Sequence, residues 1–459
     1  MTHVCRSWRN ILCSTPSLWT QLDFSVSTRS RQAIGFLRRS GNLPLNIYQH
    51  LENRDHVEPF CSTTHHNLSR LRQLELISCL DDFESLSTRL SGSAPVLEHL
   101  WVANDPSFTD YEVKFPSTIF GGRLPKLTSL TLWLFRTDLR GFNFPSLTRF
   151  DFMTGAKTSV RNLTSFFERC PSLEFIQICL DPSMGINEVR PIAPPKKRVY
   201  LVALRELRFD ETACASGLVD HLILPTCAEV MLKGEFTGGT LNRHGSPTPH
   251  IHPSSIDHIP VTREITKAVA MPNSCILSGP NGNLRFWCTS GTRGDFDAGF
   301  FTSFSPISAL EIRELWVRRD TNPYLDDSSE PWKQTTSGVH GAFEVLTKVE
   351  DLTIVNCEIG PFFATLDRAT DGGILLPRLR RLTIYVGSGD LDASVLVQCA
   401  KAREGHSRPL EEVAIIFGSK PGTEVVRVLE SLRELVVEVN HRVGVAPTLI
   451  WRGVDRDEW

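Results

Sequence analysis

Four histidines, His244, His250, His252 and His258, crowd one short stretch of this 459-residue chain, and imidazoles so close together first suggest a metal site. No cysteine joins them at zinc-finger spacing, and the Pro, Ser and Thr residues around them read as a solvated loop. His65-His66 is a weaker pair of the same kind. Pro194-Pro195-Lys196-Lys197-Arg198-Val199 has the form of a minimal nuclear-import signal, but three charges led by proline also describe a solvated loop. Arg293-Gly294-Asp295 spells an adhesion tripeptide with no secretory signal to bring it to a receptor. The chain has no G-x-x-x-x-G-K-[ST], no G-x-G-x-x-G opening a helix, no G-x-S-x-G elbow and no H-E-x-x-H, and its scattered Ser, His and Asp residues show no triad spacing. The expectation is a chain that is not an enzyme, with no metal and no cofactor.

The rest of the composition bounds the class of protein. Hydrophobic residues make up 41% and charged residues 22%, as in a folded, water-soluble protein, and 459 residues suffice for two or three domains or one long solenoid. A net charge of −3 gives no general attraction to phosphate backbones, so no nucleic-acid partner is expected. No apolar run is long enough to span a bilayer, and no signal peptide is legible, so no membrane partner is expected and the cytosol or nucleus is the expected compartment. The twelve cysteines never form Cys-x-x-Cys and read as buried thiols. Asn67-Leu68-Ser69 and Asn162-Leu163-Thr164 match the glycosylation sequon and, with no secretory signal legible, are expected to stay unmodified.

The elements that must position any binding residues are visible as a recurring L-x-x-L-x-L spacing. It runs through Leu71/Leu74/Leu76, Leu97/Leu100/Val102, Leu127/Leu130/Leu132, Leu147/Phe150/Phe152, Leu173/Ile176/Ile178, Leu204/Leu207/Phe209 and Cys227/Val230/Leu232. It resumes at Ile312/Leu315/Val317, Val349/Leu352/Ile354, Leu379/Leu382/Ile384, Leu410/Val413/Ile415 and Leu432/Leu435/Val437. The mean step is about 26 residues in the first block and about 30 in the second, within the range of leucine-rich repeats. A short strand cannot bury its inward residues alone, whereas parallel stacking of like strands builds a continuous core backed by helices. The expected fold class is therefore α/β, a leucine-rich-repeat-like solenoid of parallel strands with backing helices.

Further signals refine this layout. Pro95, Pro125, Pro145, Pro171, Pro377 and Pro409 precede triplets by one or two residues, as expected where a helix ends and an extended entry begins. The position three residues after the last leucine, met by Cys79, Cys357 and Asn440, predicts a side chain that satisfies loop backbone groups. Ala33–Leu37 and Leu163–Phe167 carry apolar residues at helical spacing and predict convex-layer helices. Ala33–Arg39 predicts a helix stopped by Ser40-Gly41-Asn42, with Leu43, Leu45 and Ile47 as a strand. Residues 235–311 break the period and read as an irregular insertion, in which Cys275–Leu277 and Leu284–Trp287 flank an Asn281-Gly282 turn and predict a hairpin. The expected segments are 25–70 as a linker and first irregular repeat, 71–234 and 312–441 as repeat blocks, and 442–459 as a cap or tail. Residues beside the inward leucines, namely Trp133, Arg149, Gln177, Arg208, Trp316, Thr353 and Arg381, are placed on the concave side, where a solenoid holds its partner.

Residues 1–24, MTHVCRSWRNILCSTPSLWTQLDF, differ from everything that follows. Val4, Trp8, Ile11 and Leu12 predict one apolar stripe on a helix that Pro16 stops, and Ser14 or Thr15 can cap a second short turn carrying Leu18 and Trp19. Val4-Cys5-Arg6-Ser7-Trp8-Arg9, then Ser14-Thr15-Pro16-Ser17-Leu18-Trp19 and Leu22-Asp23-Phe24, resembles the second half of an F-box, notably of the fungal F-box proteins with leucine-rich repeats. The family's F-box opens with Leu-Pro-x-Glu and two further helices, so residues 1–24 are expected to be its C-terminal remnant. The resemblance implies a non-catalytic substrate-recognition subunit of a cullin-based ubiquitin ligase. Val4, Trp8 and Leu12 would meet the small adaptor, Trp19 and Leu22 would join the module to the repeats, and the repeat surface would bind an unknown protein target. Such a chain is a monomer within a larger complex. The alternative is a repeat scaffold that no longer docks on the ligase. Trp19, Leu22 and Phe24 also keep the repeat spacing, which predicts that they form the first strand of the array.

Overall fold

The computed structural model describes residues 5–25, 27–51, 57–78, 83–104, 113–154, 160–180, 198–210, 218–225, 228–234, 264–271, 274–280, 282–288, 311–318, 340, 343–357, 359–366, 369–370, 373–387 and 391–444. The four clustered histidines, the Arg293-Gly294-Asp295 tripeptide, Val4, Cys79, Cys227 and the end of the tail lie outside them. Two compact units divide the chain, Met1–Gly234 and Glu235–Trp459. No described helix is long and apolar enough to cross a membrane.

In the first unit the inward residue pairs of the triplets form β1 (Gln21–Asp23), β2 (Leu45–Leu51), β3 (Leu71–Ser78), β4 (His99–Asn104), β5 (Ser129–Trp133), β6 (Arg149–Thr154), β7 (Phe175–Leu180), β8 (Glu206–Asp210) and β9 (Glu229–Gly234). Each pairs in parallel with the next in chain order. The register puts like on like. Leu74, Leu100, Leu130, Phe150, Ile176, Leu207 and Val230 form one row, and Leu76, Val102, Leu132, Phe152, Ile178, Phe209 and Leu232 a second. Every one of these side chains is buried. A shift of one residue would turn both rows to solvent, so the apolar pattern itself sets the register. The fold is mixed α/β with largely parallel strands, as the triplets predict.

Helix α1 (Arg6–Cys13) precedes β1, and α2 (Ser27–Arg39), α3 (Val57–His65), α4 (Phe83–Arg89) and α5 (Val160–Phe167) lie between strands of this unit. The two predicted helical stretches fall within α2 and α5, and α5 buries Val160, Leu163, Phe166 and Phe167 on one face. The predicted early strand is β2, although Leu43 stays outside it. At β2 the second inner row is filled by Gln49, which is buried and donates to the His50 carbonyl at 2.7 Å.

In the second unit, β10 (Lys267–Met271) pairs antiparallel with β11 (Ser274–Gly279), which pairs antiparallel with β12 (Gly282–Cys288). From β10 a parallel series continues through β13 (Glu314–Arg318), β14 (Asp351–Val355), β15 (Arg381–Val386), β16 (Glu412–Phe417) and β17 (Glu438–Val443), with helices α6 (Gly360–Leu366), α7 (Ser394–Gly405) and α8 (Thr423–Leu432) between strands. Strand β10 carries a repeat triplet that the sequence disguises: Ile265, Ala268 and Ala270 are all buried, with Ala268 opposite Leu315. Alanine in place of leucine hid it, and part of the stretch read as insertion is therefore a repeat strand. The hairpin strands pair, and Gly282 lies in β12 opposite Gly279 and not in the turn expected of it, while Asn281 falls outside the described residues. Only glycine fits at 279, where a Cβ would stand 2.4 Å from the Glu264 carbonyl oxygen.

The final triplet is displaced by four residues. Leu432 ends α8, Val437 is 88% exposed, and the residue opposite Val413 is Val439, which makes Val436, Val439 and His441 the set in register. Steps of three or four apolar residues suit both a helix and the repeat, and here the helix took the first of them. Asn440 consequently lies in the exposed strand and donates to Glu438 at 2.7 Å instead of serving a loop. The Cys357 thiol donates to the Val355 carbonyl at 3.3 Å, at the end of β14, and so serves a strand end instead of a loop.

The prolines also act differently from expectation. Leu97, Leu127, Leu147, Leu173 and Leu379 donate their amides to the carbonyls of Ala94, Leu124, Phe144, Cys170 and Leu376, so five of the six prolines occupy the second position of a hydrogen-bonded turn. The fixed φ of proline suits that position, and the triplet's first leucine closes the turn. Arginines tie such turns to their neighbours. Arg70 donates to the Leu43 carbonyl and the Ser40 hydroxyl, Arg169 to the carbonyls of Phe142 and Leu139, and Arg403 to those of Leu375, Leu376 and Leu379. Of the cysteines, Cys61, Cys170, Cys275 and Cys399 are buried, but Cys5 and Cys13 are exposed.

Candidate functional site

The N-terminal helix is short and starts at a weak cap, the Cys5 sulfur accepting from the Trp8 backbone amide at 3.4 Å. None of its residues is buried. Trp8 is 57% exposed, Ile11 and the following Leu18 are likewise exposed, and Leu12 is half-buried. Thr15 stands at the N-cap of the 3₁₀ turn Pro16–Trp19, as one of the two predicted caps, but its hydroxyl turns back and donates to the Ile11 carbonyl at 2.7 Å. That bond closes the end of α1 instead of opening the next turn.

Trp19 anchors this segment. Its indole N–H donates to the Leu12 carbonyl at 2.8 Å, its ring meets Phe36 edge-on at 4.8 Å, and the Arg39 guanidinium lies 4.8 Å from its centroid. Leu22 is buried opposite Ile47 in the β1–β2 ladder, and Phe24 donates its amide to the Tyr48 carbonyl. Trp19 and Leu22 thus join α1 to the first strand, while Trp8 and Ile11 are left facing outward.

The second candidate surface is the strand face opposite the leucine rows. In the first unit Gln177 and Arg208 are direct neighbours across β7 and β8, and the row continues back through Asp151, Thr131, Trp101 and Glu75. Arg149 lies over the Phe175 ring at 3.9 Å, with Arg208 5.4 Å from the same ring and ion-paired with Glu206. Trp133 donates its indole N–H to Asp151 at 3.1 Å and meets Trp101 edge-on at 5.5 Å. A cleft of about 280 Å³ opens between Gln73, Glu75, His99, Trp101, Ser129 and Thr131, floored by Leu74 and Leu100.

In the second unit Trp316 and Thr353 are neighbours in the corresponding row, and Arg381 lies opposite Asp351 in the row before it. Arg381 grips Asp351 with two bonds, of 2.5 and 2.6 Å, and the hydrogen bond to that carboxylate raises its pKa above the ordinary arginine value. Trp316 donates to Glu314 at 2.7 Å, and Lys267 pairs with the same carboxylate at 2.6 Å. These residues form a polar sheet face with aromatic positions.

The seven positions chosen from the sequence thus fall on strand faces, four in the first unit and three in the second. Glu75 and Trp101 were missed although the same rule reaches them, because each stands between the last two apolar residues of its triplet, as Gln177 does. Of the basic motif at 194–199, Arg198 donates to the Asp220 carbonyl at 3.1 Å, and Val199 pairs with Leu222. Among the described residues no three His, Cys, Asp or Glu side chains are grouped to hold a metal ion. The described strand faces carry aromatic rings, paired charges and amides, and His99 stands opposite Ser129 in register at the cleft. No family model matches the chain, and no curated protein matches it in sequence.

Proposed function

We propose that this chain is a non-catalytic substrate receptor: a leucine-rich-repeat-like solenoid that holds a protein target on its strand faces and docks through α1 on the small adaptor of a cullin-based ubiquitin ligase. The observation that carries the reading is the state of α1, an amphipathic helix with no buried residue, tied to the first strand by Trp19 so that Trp8 and Ile11 point away from the repeats. Exposed large apolar side chains gathered on one short helix are characteristic of a surface that a partner covers. The resemblance of Val4–Arg9 and Ser14–Trp19 to an F-box names the adaptor as that partner. Function then arises from effective concentration, because a target held on the repeats is kept near the ligase's transfer machinery.

The test is co-purification of the tagged full chain with the adaptor and cullin, compared with the Trp8→Ala/Ile11→Ala double variant. The reading expects both proteins with the native chain and at least a tenfold loss with the variant, with the far-UV spectrum unchanged. Absence of adaptor and cullin from the native sample overturns it and leaves the scaffold that does not dock on the ligase.

A further inference from the structure

We infer that the cleft on the first unit's strand face is a receptor site for a cationic side chain, a guanidinium or ammonium group, of an extended target segment. The inference rests on the reading of that face as the target-holding surface and names what it recognises. The cleft is lined by a tryptophan and a carboxylate directly opposite each other in register, Trp101 on β4 and Glu75 on β3. An indole face attracts cations more strongly than any other side-chain ring, and a neighbouring carboxylate supplies the second half of such a site.

Glu75 accepts from the Gln73 amide at 2.6 Å, and among the described residues no cation pairs with it. Arg72 on β3 donates to Asn46 at 3.2 Å, and Arg149 on β6 lies over Phe175. Trp101 is in turn held by Trp133, whose ring is fixed by its bond to the buried Asp151. The aromatic wall is therefore set before a ligand arrives, which lowers the ordering cost of binding. Ser129 and Thr131 on the far wall add hydroxyls that can accept from the remaining guanidinium N–H groups.

The probe is N-acetyl-arginine amide, titrated into full-length protein labelled at its tryptophan indoles, with N-acetyl-citrulline amide as a neutral analogue of the same shape. The Trp101 and Trp133 indole signals, assigned through Trp101→Phe and Trp133→Phe, are expected to shift saturably with arginine and to show at least fivefold weaker binding of citrulline. Glu75→Gln should weaken arginine binding about fivefold while leaving the indole spectrum of the unbound protein dispersed. Equal shifts with citrulline, an unaltered affinity in Glu75→Gln, or no response of these two indoles overturns the inference. Arginine binding retained in a chain that fails to co-purify with the adaptor would remove the ligase reading alone.

Discussion

The indole N–H of Trp19 reaches back seven residues to the carbonyl of Leu12 at 2.8 Å, and this bond ties an otherwise unburied helix to the first strand of the repeats. Trp19→Phe keeps most of the buried ring area and removes only the donor. It should cost about 1 kcal/mol, the usual net value of one such bond. Amide exchange in Arg6–Cys13 should accelerate by several-fold while exchange in the β2–β3 ladder stays unchanged. Equal acceleration in both would show that Trp19 serves the core and not the joint.

The two inner rows predict where stability resides. Leu130 and Leu382 are each 1% exposed, so Leu130→Ala and Leu382→Ala should each lower stability by about 2–5 kcal/mol in urea unfolding. The displaced last triplet gives a sharper contrast. Val436→Ala, at a buried site, should cost on the order of 2 kcal/mol, whereas Val437→Ala should lie within about 0.5 kcal/mol of the native chain. A larger loss at Val437 than at Val436 would restore the undisplaced register.

Arg403 occupies the fourth position of the buried face of α7, after Leu396, Cys399 and Ala400, where the pattern calls for an apolar side chain. It is fully buried, and desolvation lowers its pKa, yet it caps three carbonyls of the preceding turn at 3.0–3.2 Å. Arg403→Met keeps volume and strands those carbonyls, at about 1–3 kcal/mol for each buried acceptor left without a donor. A melting temperature equal to or above that of the native protein would mean that the arginine is dispensable to the turn.

Burial lifts the thiols of Cys61 and Cys170 from 9.0 to about 11, chiefly through desolvation of the thiolate. Their raised folded-state values make the native state hold protons that the unfolded state releases, so their contribution is complete below pH 9 and is lost as pH rises toward 11. Native alkylation at pH 8 followed by mass mapping should label the exposed Cys5 and Cys13 and spare Cys61 and Cys170, and stability should begin to decline above about pH 9. Rapid native labelling of Cys170 would contradict its placement behind Pro171 in the turn.

The sequence by itself determined the repeated parallel strand. Leucine-like residues spaced three and two apart bury one side of a strand whatever follows, and that local rule sufficed for the triplets from Leu71 to Ile415 and for Trp19, Leu22 and Phe24. It also placed Gln177 and Arg208 on the opposite face, because side chains alternate along a strand. Tertiary structure decided what the spacing leaves open. It chose helix over strand at Leu432, accepted alanines as the core of β10 because the neighbouring strand supplied leucine, and paired Gly282 with Gly279, where only a glycine fits against the Glu264 carbonyl. It also brought Glu75, Trp101 and Thr131 into one cleft. Those residues are about thirty positions apart in sequence and become neighbours only when parallel strands are paired in register, which no local pattern encodes.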